Sequence, residues 1–273
     1  MPAGEPTVMT RTPRATARPV TLQLLAHVGA GGIVLGEGAG VHGALLGVES
    51  TLAPLSEGAT VALATGLALA GKRVVVELVD TAGLARAGDA LADLANLSAR
   101  SDRAFVPTVV IRVPGGTDTR AVDVPVYIAG RPSDAAEQLA ATLERGGVCV
   151  LVDDSERDPG PDGVAPAPLG QPVTLKAGTT LTVLASGSDL RAALIAAESA
   201  AAAGVDAAVV EVRGTGSLGA AIQRTGRVVA IGETALLPAL RDAFWSLEAP
   251  WLVVPSGATS GAILEAIHQV AGA

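Results

Sequence analysis

The stretch from Thr51 to Asp80, TLAPLSEGATVALATGLALAGKRVVVELVD, admits few folds. Pro54 lacks a backbone donor and restricts the residue before it, so Ala53-Pro54 is extended chain outside any helix. Ser56 is a fitting N-cap, and Ala59 to Ala70 is a run of small and apolar helix formers. Gly71 takes the place of a C′ glycine, Lys72-Arg73 turn the chain, and Val74-Val75-Val76 opens a β-branched strand. The helix is apolar nearly all round, with Ala, Gly and Thr where large residues would otherwise stand. Such a helix expects close neighbours on several sides, including another subunit. A single charge, Glu57, stands at its start, where the helix dipole alone favours a glutamate.

The same alternation runs through the rest of the chain. Ile33–Leu35 is a short strand closed by Gly36-Glu37-Gly38-Ala39-Gly40, a cluster that permits a tight turn but lacks the spacing of a dinucleotide fingerprint. After the strand at Val74–Val79, Leu84, Leu91, Leu94 and Leu97 recur at helical spacing. Val106–Val113 and Val126–Ala129 are strands, Ser133 is placed to cap a helix ending at Gly146-Gly147, and Val148–Val152 is a further strand. Residues 153–170, DDSERDPGPDGVAPAPLG, have little to bury and read as a linker. Strands at 180–185, 207–212, 227–231 and 250–254 then alternate with helices at 189–203, 218–225, 238–247 and 260–270. Alternation of this kind predicts a parallel sheet flanked by helices in each half, an α/β fold of two domains. Asp189, after Ser186-Gly187-Ser188, fits an N-cap, and an anion site at that helix start is the alternative.

Composition narrows the core and the partners. The 273 residues are 49% hydrophobic but only 2% aromatic, so the core is built from Ala, Val and Leu. The net charge of −8 and the absence of basic clusters in the body of the chain argue against nucleic acid. No apolar run is long enough and suitably flanked to span a membrane. The lone cysteine, Cys149, lies in an apolar strand and is expected to be a buried, inert thiol. No Cys/His metal spacing occurs, so no metal ligands are expected in this chain. Residues 1–19 carry Arg11, Arg14 and Arg18 among Pro, Thr and Ala without an apolar signal core, and read as a disordered tail. The expected setting is a reducing cytoplasm.

Pro54-Leu55-Ser56-Glu57-Gly58, the small-residue helix, Leu69–Arg73 and Val74–Glu77, in that order, resemble the pyrimidine-binding domain of thiamine diphosphate enzymes. The likeness is strongest to the transketolase-like beta subunit of pyruvate dehydrogenase and related 2-oxo acid dehydrogenases. Gly36-Glu37-Gly38 resembles that family's GEDVG motif, with glycine in place of the aspartate. Val106–Gly116 resembles its VPLVIRxPxGG segment. TLTVLASGSDLRAALIAAE, GVDAAVVEVR and TGRVVAIGE resemble its transketolase C-terminal domain, so the likeness runs from about residue 20 to the end. It implies a pyrimidine-binding domain at 20–152, a linker at 153–172 and a transketolase C-terminal-like domain at 173–273.

The resemblance also implies a chemistry. The glutamate of the PLSE motif, here Glu57, hydrogen-bonds the aminopyrimidine ring of the cofactor, with Leu55 beside it in the motif. Glu37 matches a glutamate near the cofactor and the subunit contact, although a solvated turn residue explains it equally well. A carboxyl group is needed at Glu57 because it must share a proton while half-buried, which an amide cannot do. Diphosphate and Mg²⁺ are held in this family by a GDG motif and a later asparagine on a separate domain. Gly88-Asp89-Ala90 is the nearest string here, within a predicted helix and with the wrong third residue. An alpha-type partner carrying that domain is therefore implied, in an alpha2beta2 heterotetramer, with a homodimer of this chain as the other arrangement.

The chain departs from the family in three places. Leu78–Ala82 offers no aromatic to pack on the pyrimidine, and Gly116–Val126 lacks the family's His-Ser-Gln stretch. Near Glu144-Arg145-Gly146-Gly147 the Asp and Asn of a structural cation site are missing. There Arg145 either replaces the cation or is a solvated charge at a helix end. His42, fifteen residues before Glu57, either reaches the cofactor cavity or is an exposed loop residue. Two functions follow: a beta-type subunit that completes a thiamine diphosphate site, or a catalytically inactive homologue with a structural or regulatory role.

Overall fold

Each valine-rich run of the N-terminal half is a buried strand of one parallel sheet. The computed structural model describes residues 32–36, 49–51, 56–119, 122–130, 132–153, 168–214, 218–232 and 250–272. The first sheet contains β1 (Gly32–Gly36), β2 (Glu49–Thr51), β3 (Arg73–Glu77), β4 (Thr108–Pro114), β5 (Val126–Ala129) and β6 (Gly147–Asp153). Its order is β2-β1-β3-β4-β6-β5, every pair parallel. Both faces are covered, so the strands read as continuous apolar runs rather than alternating ones. Among the described residues four helices belong to this half: α1 (Glu57–Leu69), α2 (Gly83–Arg86), α3 (Gly88–Arg100) and α4 (Pro132–Arg145).

Local chemistry sets the element ends. Ser56 caps α1, its hydroxyl accepting from the Ala59 amide, and Gly71 with φ +79 closes the helix as expected. The expected continuous helix from Leu84 is instead two pieces, broken at Ala87. Ser133 does not cap α4: the helix begins one residue earlier at Pro132, where a missing N–H costs nothing because no partner exists for it. Strand β6 runs through Asp153 because that side chain is buried against Arg112. Gly36, with φ +130, has to be glycine, since a Cβ there would overlap the carbonyl of Glu77 on the adjacent strand.

The second sheet holds β7 (Val173–Lys176), β8 (Leu181–Ala185), β9 (Ala207–Glu211), β10 (Val228–Ile231) and β11 (Trp251–Val254), in the order β11-β10-β8-β9-β7. It is parallel except at β7, which pairs antiparallel with β9 and was not anticipated. Helices α5 (Leu190–Ala202), α6 (Gly219–Gln223) and α7 (Ser260–Gly272) follow their strands. Alanines 193, 196, 197 and 200 of α5 and Ile263, Ile267 and Val270 of α7 fill one core with β8, β9 and β10. Small side chains let these layers approach closely, and many small contacts replace the few large aromatic ones. The expected helix at 238–247 lies outside the described residues.

The two halves share apolar packing. Val113, Val126, Ile128 and Val152 belong to the same core as Leu184, Val210, Val212 and Leu218. The Ile128 amide donates to the Arg213 carbonyl at 2.8 Å, and Gly130 meets Gly187 so closely that a Cβ at Gly130 would lie 3.0 Å from the Gly187 Cα. Asp189 caps nothing. Its carboxylate crosses to the loop after β11 and accepts from Ser256 Oγ at 2.8 Å and the Gly257 amide at 2.7 Å. Burial of Asp189 is thus satisfied by a tertiary contact, which a local turn reading does not reveal.

Candidate functional site

In the first sheet the chain steps from β1 outward to β2, then back across β1 to β3, so the topological reversal falls between β1 and β3. Open α/β sheets form a crevice at the carboxyl ends of the strands flanking such a reversal. Gly36 ends β1 and Glu77 ends β3 at that edge. Because β2 leads into α1 and α1 into β3, the N-terminus of α1 lies at the same edge. Glu57, the first residue of α1, is therefore delivered to the crevice by topology, and Ser56 fixes the helix start beneath it.

The Glu57 side chain retains 28% of its exposure and meets a partner that the sequence reading did not single out. Arg86, at the end of α2, donates from Nε to Glu57 Oε1 at 3.0 Å, and its Nη2 reaches the same oxygen. That Nη2 also donates to Asp80 Oδ2 at 2.7 Å. Asp80 is steadied in turn by the Ala82 amide, which donates to Oδ1 at 3.0 Å. One guanidinium therefore bridges two carboxylates. The Arg86 hydrogen bonds hold the Glu57 carboxyl below the ordinary carboxylate range, and the Ala82 amide followed by Arg86 does the same for Asp80. Arg86 itself is pushed above its usual value by Glu57 and Asp80. Gly83 lies beside this pair: a Cβ there would make ordinary van der Waals contact, 3.5 Å from Glu57 Cγ and 3.4 Å from Leu78 Cβ. Leu78 is buried, while Val79, Asp80, Thr81 and Ala82 are exposed, so no aromatic ring of this segment faces Glu57.

A second arginine bridge lies deeper at the same edge. Arg112 on β4 donates to Glu77 Oε1 on β3 at 2.9 Å and to Asp153 Oδ2 on β6 from both Nε and Nη2, at 3.0 and 2.7 Å. Glu77 and Asp153 are buried. Burial acts to lower the pKa of Arg112, but the two carboxylates outweigh it and the net shift is upward. The register places Glu77 opposite Arg112, so this bridge is a sheet staple.

The remaining candidates separate clearly. Glu37, Leu55, His27 and His42 lie outside the described residues. His268 is exposed on α7. Gly88-Asp89-Ala90 is the first turn of α3, and among the described residues no group of three His, Cys, Asp or Glu side chains is placed to hold a metal ion. Cys149 is buried, with its thiol pushed up to about 12 by burial, as expected of an inert core cysteine. Arg145 donates from Nη1 to the Tyr127 hydroxyl, tying the end of α4 to β5. Among the described residues no helix is long and apolar enough to cross a membrane.

The bridging Arg86 was missed because its segment, TAGLARAGDAL, reads as the start of one amphipathic helix with Arg86 on the solvent side. The loss of any aromatic at 78–82, together with an acid and a base six residues apart at Asp80 and Arg86, was the available signal.

Against known proteins, no family model matches the chain. It is 27% identical to the pyruvate dehydrogenase E1 component subunit beta of Leifsonia xyli subsp. xyli (strain CTCB07), covering 81% of this chain and 79% of that one. In fold it is similar to a split-gene transketolase described as an inactive beta4 tetramer, with a TM-score of 0.71, 17% identity and coverage of 93% of this chain and 95% of the other. It is also similar to the 2-oxoglutarate:ferredoxin oxidoreductase of Magnetococcus marinus, solved with 2-oxoglutarate, coenzyme A and succinyl-CoA bound. There the TM-score is 0.68 and the identity 12%, with coverage of 92% of this chain and 64% of that one. The resemblance read from the motifs is thus met by a beta-subunit relative in sequence and by transketolase-type two-domain proteins in fold.

Proposed function

We propose that this chain is the beta-type subunit of a thiamine diphosphate-dependent enzyme acting on 2-oxo acids, and that an alpha-type chain completes its cofactor site. The observation that carries the reading is the delivery of Glu57, on a capped helix start, to the crevice at the β1/β3 reversal. Its side chain is partly open to solvent and lies beside the small Gly83, with the exposed Arg86 as its charged partner. Those features fit an aminopyrimidine, with Glu57 as the group that holds a proton against the ring nitrogen. When bound, the cofactor supplies the electron sink for decarboxylation. Glu57 contributes proton sharing, and Leu55 and Glu37 are proposed as further cofactor-binding residues. Mg²⁺ and the diphosphate are assigned to the partner, as the motif resemblance implies.

The exposed face of α1 supports an assembly. Ala62, Leu63, Gly66, Leu69 and Ala70 recur along one side of the helix, exposed and without a charge among them. An uncharged helical stripe of this kind is a subunit-contact surface. The split-gene transketolase neighbour is named as a beta-only tetramer that is inactive, which parallels a chain that needs its partner for activity. The arrangement proposed is a homodimer, or a heterotetramer with two alpha-type chains. A monomer by light scattering, both alone and with the partner, would contradict it.

Two observations favour a second reading. Arg86 already occupies the Glu57 carboxylate, and no aromatic of residues 78–82 stands by to stack on a pyrimidine. Those facts suit a homologue that keeps the fold and the contacts but not turnover. Calorimetric titration of thiamine diphosphate with Mg²⁺ separates the two. The subunit reading expects no binding to this chain alone, binding to its complex with the alpha-type chain, and loss of cofactor activation in Glu57→Gln. No binding by an intact complex would leave the scaffold reading standing.

A further inference from the structure

Resting on the subunit reading above, we infer that Arg86 is a latch on the cofactor carboxylate: it occupies Glu57 while the site is empty and is carried by Asp80 when a ligand claims Glu57. Nothing in the fold requires Arg86 to contact Glu57. It sits on the last residue of a one-turn helix, with 46% of its side chain exposed, and among the described residues its guanidinium meets only the partly exposed Glu57 and Asp80. What it does touch is Glu57, by two donors on a single oxygen, and Asp80.

The chemistry of an entering aminopyrimidine makes this contact a competitor. An ionised carboxylate and a ring nitrogen are both hydrogen-bond acceptors, so they come together only with a proton between them. A guanidinium on Glu57 keeps it ionised and makes that proton harder to add. Ligand entry therefore requires Arg86 to leave and a proton to arrive. Among the described residues, the charged groups bearing on Glu57 are Arg86 and Asp80, and the Glu57 backbone amide also favours the ionised form.

Asp80 makes the exchange reversible. Its Oδ2 already accepts from Arg86 Nη2, and its Oδ1 is pinned by the Ala82 amide, so its carboxylate stays in place when Glu57 is withdrawn. Arg86 need only withdraw Nε and Nη2 from Glu57 Oε1 while Nη2 keeps its bond to Asp80. An exposed pair is weak enough to be displaced by ligand binding, whereas a lone arginine expelled into the crevice would oppose it. Arg86 is thus a positioning residue that acts through Glu57, and Asp80 is its resting partner.

The test has one arm without cofactor and one with it. In the first, the Glu57 carboxyl carbon is titrated by NMR in wild type, Arg86→Gln and Arg86→Lys, with Glu57→Gln to assign the signal. The midpoint is expected to move up in Arg86→Gln and to return part of the way in Arg86→Lys. In the second, thiamine diphosphate with Mg²⁺ is titrated into each variant complexed with its alpha-type chain. Arg86→Gln is expected to bind on the order of tenfold more tightly than wild type, and Asp80→Asn more weakly, as a coupling of this kind allows. An unmoved Glu57 midpoint, or equal affinity of wild type and Arg86→Gln, overturns the latch and leaves the subunit reading intact. No cofactor binding by any variant, with the complexes assembled and the midpoint shift present, overturns both, and Arg86 is then an ordinary surface ion pair.

Discussion

Two arginines in the first domain each bridge two carboxylates, and they do opposite work. Arg112 joins Glu77 and Asp153 across three neighbouring strands, with 17% of its side chain exposed and both acids buried. Arg86 joins Glu57 and Asp80 at the surface, from a one-turn helix, with nearly half its side chain in water. The groups and distances are similar, and only their solvation differs. Removing water raises the cost of separating a charge pair, so the inner bridge is a permanent part of the sheet. Solvent and salt weaken the outer one, which makes it suited to exchange. The position of each in the chain follows the same division. Glu77, Arg112 and Asp153 stand in strands whose register fixes them, while Glu57, Asp80 and Arg86 stand at helix ends and a turn.

The sharpest way to break this contrast is to remove one arginine at a time. Arg112→Ala leaves two buried carboxylates facing each other without their cation, and is expected to cost about 3–5 kcal/mol in urea unfolding. Asp153→Asn keeps the shape and leaves the Arg112–Glu77 pair in place but removes a charge-assisted acceptor. A loss of about 2 kcal/mol is expected by the same measurement. Arg86→Gln is expected to leave the urea midpoint unmoved within error, because an exposed pair contributes little to folding. A large loss in Arg86→Gln, or none in Arg112→Ala, would erase the distinction.

Salt and acid sharpen it further. At about 1 M salt the screening length is roughly 3 Å, short enough to loosen the outer bridge but not the buried one. The Glu57 midpoint of wild type should then rise toward that of Arg86→Gln, while the stability lost in Arg112→Ala stays the same. Acid acts in a definite direction. Glu57 and Asp80 are held below their ordinary values in the folded chain. What they add to stability is present at neutral pH and disappears as the pH falls through those lowered midpoints. The effect is small because both groups are exposed, and it should be reduced in Arg86→Gln, where the Ala82 amide still holds Asp80, when the two proteins are unfolded by urea across the acid range.

Much of this architecture was legible in the chain. Val74–Glu77, Val148–Val152 and Leu181–Ala185 declare themselves as buried parallel strands by β-branched runs between glycines and helices. The N-cap at Ser56 and the stop at Gly71 are local, and were read correctly for that reason. What escaped depends on partners distant in sequence. Asp189 looked like a cap because the loop that binds it, Ser256-Gly257, is 67 and 68 residues away. Strand β7 escaped because it is short, edge-placed and only partly buried, so it carries no run of apolar residues. At the candidate site, Glu57 was legible from its motif. Arg86 was not, because a solvent-facing arginine on a short helix carries no signal until the fold brings the residue 29 positions upstream beside it.

The central claim is that Glu57 meets its ligand through a shared proton that it does not hold in the empty chain. Its most direct test is the proton uptake that accompanies binding of thiamine diphosphate and Mg²⁺ to the complex with the alpha-type chain. It is measured by calorimetry at neutral pH in buffers of different ionisation enthalpy. The account predicts uptake approaching about one proton in wild type and its loss in Glu57→Gln, since only a carboxylate that changes its protonation state on binding links affinity to pH. Binding with the same proton count in both proteins would contradict it.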